Sequence, residues 1–65
     1  MNQSELAARM KCHRSVISRI LSGSRNASRE MSHRLRREVE GTTILDWLFA
    51  KQNANKLVKA VRRAE

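Results

Sequence analysis

Two short amphipathic segments, separated by only three residues, constrain the fold of this chain more than any other feature. In residues 3–10 and again in residues 14–22, apolar side chains recur at the spacing of one helix face. The apolar positions are Leu6, Ala7, Met10, Val16, Ile17, Ile20 and Leu21. The sequence therefore predicts two helices that pack against each other across a tight turn at residues 11–13.

The polar side chains of the second segment indicate a binding role. With the apolar positions facing inward, Arg14, Ser15, Ser18 and Arg19 are left on the outer face. Two helices joined in this way can place the second one in the major groove of DNA, where arginine pairs with guanine and serine contacts bases or phosphates. An ordinary solvated helix face is the alternative. We predict that these four residues contact bases, with Arg14 and Arg19 the strongest candidates.

Several positions in residues 3–40 resemble the helix-turn-helix of phage repressor and Cro proteins. Gln3 matches the glutamine that opens the family's first motif helix, and Ala7 matches the small residue that lets the two helices approach. The other matching positions are Ile17, Ile20, Gly23 and the loop Arg25-Asn26-Ala27-Ser28, where Ala27 replaces the family's proline. The resemblance implies DNA binding, with Gln3, Arg25 and Asn26 in contact with the phosphate backbone.

Three departures from the family pattern set further expectations. Lys11 stands where the family has its turn glycine, so we expect a left-handed backbone there at a cost of about 1 kcal/mol. His13 replaces the usual Ser or Thr cap of the second helix, and is either a weak cap or a contact to a phosphate or base. Only Met1 and Asn2 precede Gln3, so the family's first helix is missing and another segment must cover the core.

The length and the net charge of the chain limit the classes of protein to which it can belong. The chain has 65 residues, which is enough for one small domain, and its core alone supplies little stability. Fourteen Lys and Arg against six Asp and Glu give a net charge of +8. This balance favours an anionic partner, with double-stranded DNA ahead of an acidic protein or a membrane surface.

Other classes of function find little support in the sequence. The single cysteine excludes an internal disulfide and is typical of a reducing cytoplasm, and no stretch is apolar enough to span a membrane. Cys12, His13 and His33 cannot supply the four ligands of a structural zinc site, and no third group accompanies a Cys/His pair for catalysis. We therefore expect no metal, cofactor, small-molecule ligand or enzymatic activity, and a cytoplasmic location.

Helical spacing continues through the rest of the chain. Ser28 can cap a third helix over residues 28–40, and Thr43 with Asp46 forms a capping box that opens a fourth. A basic amphipathic helix then closes the chain, and no segment alternates in the manner of a strand. The sequence predicts an all-α fold, a small four- to five-helix domain that contains a helix-turn-helix.

Residues 42–65 are expected to complete the core and to form a dimer. Within them a run of apolar residues is too apolar for so small a domain to cover easily: Ile44, Leu45, Trp47, Leu48 and Phe49. Some of their side chains are expected to replace the missing first helix, and others to form a two-fold dimer interface. Asn53 and Asn55 can break or re-cap the helix in this segment. The interface candidates are Leu45, Trp47, Leu48, Phe49, Leu57 and Val61, and for each of them burial within the single chain is an equally open alternative. We expect the basic residues Lys56, Lys59, Arg62 and Arg63 to face solvent rather than to contact DNA directly.

These inferences lead to one hypothesis and three rivals, the third of which, an amphipathic helix that binds a membrane surface, is suggested only by residues 53–63. The hypothesis is a Cro-like phage or prophage repressor that binds an inverted repeat as a homodimer, with its two recognition helices about 34 Å apart. The first rival is an autorepressor of a small mobile-element operon, of the antitoxin or anti-CRISPR-associated type, that holds a partner through residues 53–65. The second rival is a protein inhibitor or interaction module that uses the same fold without recognising a DNA sequence.

Overall fold

Within residues 1–64, the segments with helical spacing of apolar residues form five α-helices. The computed structural model describes residues 1–64, and no β-strand occurs in that part of the chain. The helices are α1 (Gln3–Met10), α2 (Arg14–Leu21), α3 (Arg29–Glu38), α4 (Ile44–Leu48) and α5 (Ala50–Arg63). The prediction of a small all-α fold containing a helix-turn-helix is thus confirmed.

The turn between α1 and α2 has the left-handed residue that the sequence predicted. Lys11 has φ 54° and ψ 44°, and its N–H donates to the carbonyl of Ala8. The N–H of Cys12 donates to the carbonyl of Ala7 over 3.1 Å. These two bonds form a Schellman motif, which satisfies the last carbonyls of α1 and turns the chain sharply. A glycine usually occupies this position, and here the lysine takes the same backbone conformation.

Local side chains define where α1 and α3 begin. Asn2 Oδ1 accepts a hydrogen bond of 2.7 Å from the N–H of Glu5, and Ser28 Oγ accepts one of 3.2 Å from the N–H of Met31. Each bond satisfies one of the first-turn N–H groups, which have no partner within the helix. Ser28 is therefore the cap that precedes α3, which is two residues shorter at its C-terminus than the predicted range.

The core contains side chains from all five helices. α1 packs against α2 and α3, α3 packs against α4, and α5 packs against both α2 and α4. The buried apolar residues are Leu6, Ala7, Met10, Ile17, Ile20, Leu21, Ala27, Leu35, Val39, Trp47, Ala50, Leu57 and Val61. In this way α5 covers α2, and α4 joins α3 to α5.

Trp47 is the largest side chain of this core. It is 1 % exposed, and its indole Nε1–H donates to Thr42 Oγ1 over 2.9 Å. The Thr42 hydroxyl in turn donates to the carbonyl of Val39, 2.7 Å away. This chain of bonds satisfies the polar atom of a buried tryptophan, which would otherwise destabilise the core.

Asp46 links the start of α4 to α5. The predicted capping box is present: Thr43 Oγ1 accepts from the N–H of Asp46 at 3.2 Å, and Asp46 Oδ2 accepts from the N–H of Thr43 at 3.0 Å. Lys56 Nζ donates to both carboxylate oxygens, at 3.1 and 3.0 Å. Burial raises the pKa of Asp46, but the hydrogen bonds from Lys56 and Thr43 and the charge of Lys56 outweigh it. The pKa of Asp46 is therefore lower than its ordinary value.

The boundary between α4 and α5 lies earlier than expected. Phe49 interrupts the helix with φ −111° and ψ 41°, and α5 then runs from Ala50 with a local kink at Asn53. The Asn53 Nδ2 group donates to the carbonyl of Phe49 over 3.2 Å. Asn53 has non-helical backbone angles, φ −114° and ψ 15°, so the helical path breaks at Asn53 as predicted and α5 is kinked there.

Candidate nucleic-acid interface

The second motif helix, α2, separates its side chains into a buried face and an exposed face. Ile17, Ile20 and Leu21 are at most 5 % exposed and fix α2 on the core. The exposed residues of the other face are Arg14, Ser15, Ser18 and Arg19. Because residues three and four apart are neighbours on a helix surface, these four side chains form one polar strip. The structure thus places all four predicted base contacts where a duplex can reach them.

His13 stands immediately before this strip. Its backbone is extended, with φ −72° and ψ 144°, and its side chain makes no capping hydrogen bond. The imidazole is exposed at the N-terminal end of α2. The positive end of the helix dipole favours an anion at this position, so a phosphate contact by His13 remains a prediction.

The C-terminal end of α2 is closed by a motif that the sequence analysis identified only in part. Gly23, at φ 83°, donates its N–H to the carbonyl of Ile20, and Ser24 donates its N–H to the carbonyl of Arg19 over 3.0 Å. This is a second Schellman motif. The hydroxyl of Ser22 also donates to the carbonyl of Arg19 and lies 3.0 Å from that of Ser24. In the sequence, the two serines on either side of Gly23 were the feature from which the contact between their hydroxyl groups could have been predicted.

The predicted phosphate contacts lie at two places on the surface. Gln3 is half-buried at the first position of α1, and Arg25 and Asn26 are exposed in the loop that follows α2. The N–H of Ala27 donates to the carbonyl of Trp47 over 3.0 Å, which holds this loop against the end of α4. The structure therefore gives Arg25 and Asn26 a defined position beside the recognition helix.

Asn26 has a structural role that the sequence analysis missed. Its Oδ1 accepts a hydrogen bond of 2.9 Å from the N–H of Lys51, in the first turn of α5. The residue in the cap position of α5, Phe49, has no side chain that can accept such a bond. Asn26 therefore caps α5 from 25 residues away, while its amide nitrogen can still donate to a phosphate. Only the tertiary fold brings these residues together, so no local signal was available.

The charges of the exposed α2 strip are not neutralised by ion pairs within residues 1–64. Among residues 1–64, the two ion pairs are Arg9 with Glu38, at 3.5 Å, and Lys56 with Asp46, at 3.0 Å. Both pairs lie away from the exposed strip of α2, and Arg14 and Arg19 belong to neither. An exposed arginine without an acidic partner favours an anionic ligand.

The six candidate interface residues divide into two groups. Trp47, Leu57 and Val61 are at most 3 % exposed within the single chain, so their prediction as interface residues is corrected: they belong to the core. Their side chains are covered by α2, α3 and α5 and cannot meet a second copy unless the domain opens. The second group consists of Leu45 and Phe49, whose side chains are 63 % and 50 % exposed. Leu48 is half-buried and belongs to neither group.

Neither a metal site nor a membrane helix is found in the described part of the chain. Within residues 1–64, no three side chains of His, Cys, Asp or Glu lie close enough together to hold a metal ion. None of the helices in that range combines the length and the apolar character that a membrane crossing requires.

Comparison with known proteins agrees with this geometry. Residues 1–38 match the family model described as helix-turn-helix, and this segment covers more than half of the chain. The chain therefore belongs to the helix-turn-helix family of the Cro/C1 type, whose members are DNA-binding regulators. No curated protein matches the chain. No solved structure matches it either. The family match ends with α3, so the roles of α4 and α5 depend on the structure alone.

Proposed function

We propose that this protein is a Cro-like phage or prophage repressor that binds an inverted-repeat operator as a homodimer. The observation that carries the proposal is the polar strip of α2, exposed on a helix whose other face is fully buried. Such a helix enters the major groove as a rigid unit, and its side chains meet base edges in a fixed register.

The residues of the polar strip and the residues that contact phosphates have different roles in DNA binding. Arg14 and Arg19 each carry a guanidinium that can pair with O6 and N7 of guanine, whereas Ser15 and Ser18 can bond to bases or phosphates. The phosphate contacts of Gln3, Arg25 and Asn26 set the register of α2 on the duplex without distinguishing sequences. Base contacts then provide the discrimination between an operator and random DNA.

Two exposed apolar side chains, Leu45 in α4 and Phe49 directly after it, support the dimer. Leu45 and Phe49 lie one helical turn apart, and the N–H of Phe49 donates to the carbonyl of Leu45 over 3.0 Å. The bond between Ala27 and Trp47 joins this part of the molecule to the loop after α2. A two-fold contact through Leu45 and Phe49 would therefore set the two recognition helices side by side, as binding to two half-sites requires.

The repressor mechanism that follows is occlusion. A dimer on an operator that overlaps a promoter prevents polymerase from binding there. Occupancy then depends on the concentration of the protein, because dimer formation and operator binding both follow mass action.

Selection of bound duplexes from a random DNA pool, at about 150 mM salt where non-specific contacts are weakened, tests this proposal. We expect an inverted repeat whose half-site centres lie about 10 base pairs apart. Recovery of a single half-site would contradict the homodimer but would support sequence-specific binding by α2. Recovery of no common sequence would refute operator binding and favour the interaction module.

The autorepressor with a partner on residues 53–65 receives less support from the structure. A segment that captures a partner protein needs an unoccupied apolar face, but Leu57 and Val61 of α5 are already buried against the rest of the domain. Co-purification of a partner that is lost when Lys59 or Arg63 is changed would nevertheless favour it.

A further inference from the structure

A groove of about 410 Å³ brings the last turns of α5 to the side of the molecule where α1 and α2 begin. Gln3 lies at the first position of α1, and Arg14 at the first position of α2. Arg62, from the final turn of α5, also lines the groove, as do the polar residues Asn2 and Ser4. The apolar residues of the lining are Met1, Leu21, Val58 and Val61. Residues that are distant in sequence thus share one surface at the edge of the α2 strip.

The charge of this groove is positive and uncompensated within the described chain. Arg14 and Arg62 are both exposed, and no carboxylate of residues 1–64 lines the groove. Neither arginine takes part in the two ion pairs found in that range. Two guanidinium groups that share a groove repel each other in water and are stabilised by an anion between them.

The position of the groove indicates which anion it takes. In the docking of a helix-turn-helix, the backbone of the duplex runs beside the start of the first motif helix and beside the recognition helix. Gln3 and Arg14 stand at these two places. A guanidinium in the same groove can bind a phosphate with two parallel hydrogen bonds.

We propose that Arg62 binds a phosphate of the DNA backbone and that α5 thereby extends the DNA interface beyond the family-matched residues 1–38. This inference rests on the proposed binding of duplex DNA by the α2 face. It departs from the expectation that Arg62, which is exposed, faces solvent without contacting DNA. Leu21, Val58 and Val61 line the same groove, and apolar surface of this kind can support the methylene groups of an arginine.

Arg63 offers a matched control on the same helix turn. It is also exposed, but it lines a different groove that includes Glu38 and Glu40. Arg62→Gln and Arg63→Gln remove the same charge from adjacent positions. Any difference between them therefore reports position rather than net charge.

The salt dependence of DNA binding tests the proposal. The affinity of the parent and of both variants is measured between 50 and 200 mM salt on a duplex selected by the parent chain and on a random duplex of equal length. Each phosphate contact contributes about 0.9 to the slope of log affinity against log salt. We expect Arg62→Gln to lower that slope by about 0.9 per bound chain on both duplexes, and Arg63→Gln to lower it by less than half as much. Arg62→Lys should retain most of the slope, because it keeps the charge.

The outcomes separate this inference from the proposed function. If the parent selects an operator and Arg62→Gln and Arg63→Gln have equal slopes, the phosphate contact is refuted while the repressor stands. If the parent binds DNA without sequence preference and Arg62→Gln alone lowers the slope, the contact stands and the operator-binding function fails. A parent chain that binds no duplex overturns both. Unchanged circular dichroism and melting temperature of the variants show that their folding is intact.

Discussion

Asn26 holds two roles that a pair of substitutions can separate. Its Oδ1 caps the first turn of α5 by accepting from the N–H of Lys51, and its side-chain NH₂ group is a predicted donor to the DNA backbone. Asn26→Ala removes both groups. Asn26→Asp keeps the oxygen that caps α5 but replaces the donor with a negative charge.

The magnitude of the first effect follows from the hydrogen bond. Loss of a side-chain cap at a helix N-terminus costs about 1 kcal/mol, within a range of about 0.5–2 kcal/mol. A chain of 65 residues has an unfolding entropy of about 0.14 kcal/mol per kelvin, so 1 kcal/mol corresponds to about 7 °C in melting temperature. The total stability of such a domain is about 3–10 kcal/mol, and one cap is therefore a measurable fraction of it.

The two substitutions should then diverge. We expect Asn26→Ala to lower the melting temperature by about 7 °C, and Asn26→Asp to leave it unchanged or raise it slightly, because a carboxylate is favoured at a helix N-terminus. Both should weaken DNA binding, and Asn26→Asp more strongly, since its charge repels the phosphates. Thermal denaturation followed at 222 nm and fluorescence anisotropy with labelled duplex measure the two effects. A melting temperature of Asn26→Ala within about 1 °C of the parent would refute the cap, and equal destabilisation by both changes would assign the stability to the amide nitrogen instead.

Three further predictions concern the strip, the apolar pair and the buried carboxylate. Arg19→Ala should weaken operator binding by about 1–3 kcal/mol and relax sequence specificity. The control Arg37→Ala, on α3, should change neither the affinity nor the specificity. An equal loss of affinity on operator and random DNA would make Arg19 a backbone contact. Leu45→Glu should shift the protein toward monomer in analytical ultracentrifugation without lowering its melting temperature. The control Gln52→Glu makes the same change of charge at an exposed position of α5 and should leave the dimer intact. Because the pKa of Asp46 is lower when folded, its ionised form stabilises the protein above its ordinary value of 3.8, and this stability is lost as the pH falls through the folded pKa. Urea denaturation at pH 6 and pH 3 should show a smaller difference for Asp46→Asn than for the parent, and an equal difference would contradict the assignment.

Much of the fold was accessible from local patterns. The apolar spacing of the first 22 residues predicted α1, α2 and the turn between them, and Lys11 was expected in the left-handed region where it lies. Ser28 and the capping box of Thr43 and Asp46 are contacts between residues three apart in sequence, so the residue types and their spacing are sufficient to predict them. The polar face of α2 followed from the same periodicity, because the residues opposite a buried strip must face outward.

The assignment of apolar residues to core or surface required the tertiary structure. Five of the six residues 44–49 are apolar, and periodicity does not say which of them face the core. Trp47 is buried while Leu45 and Phe49 are exposed, because a five-residue helix can turn only one side toward the core. The same holds for Leu57 and Val61, which were interface candidates in sequence and are core residues in the fold.

The sequence by itself determined which segments are helical, where α3 and α4 are capped and which face of α2 is polar, because these features depend on interactions between residues three or four positions apart. The tertiary structure alone decided that Asn26 caps α5 and that Arg62 lies in one groove with Gln3 and Arg14. These contacts join residues 25 or more positions apart, and their geometry is set by how the buried faces of five helices fit together. Long-range packing of this kind leaves no periodic signal in the chain, so the capping of α5 and the proposed phosphate contact of Arg62 could be inferred only from the folded molecule.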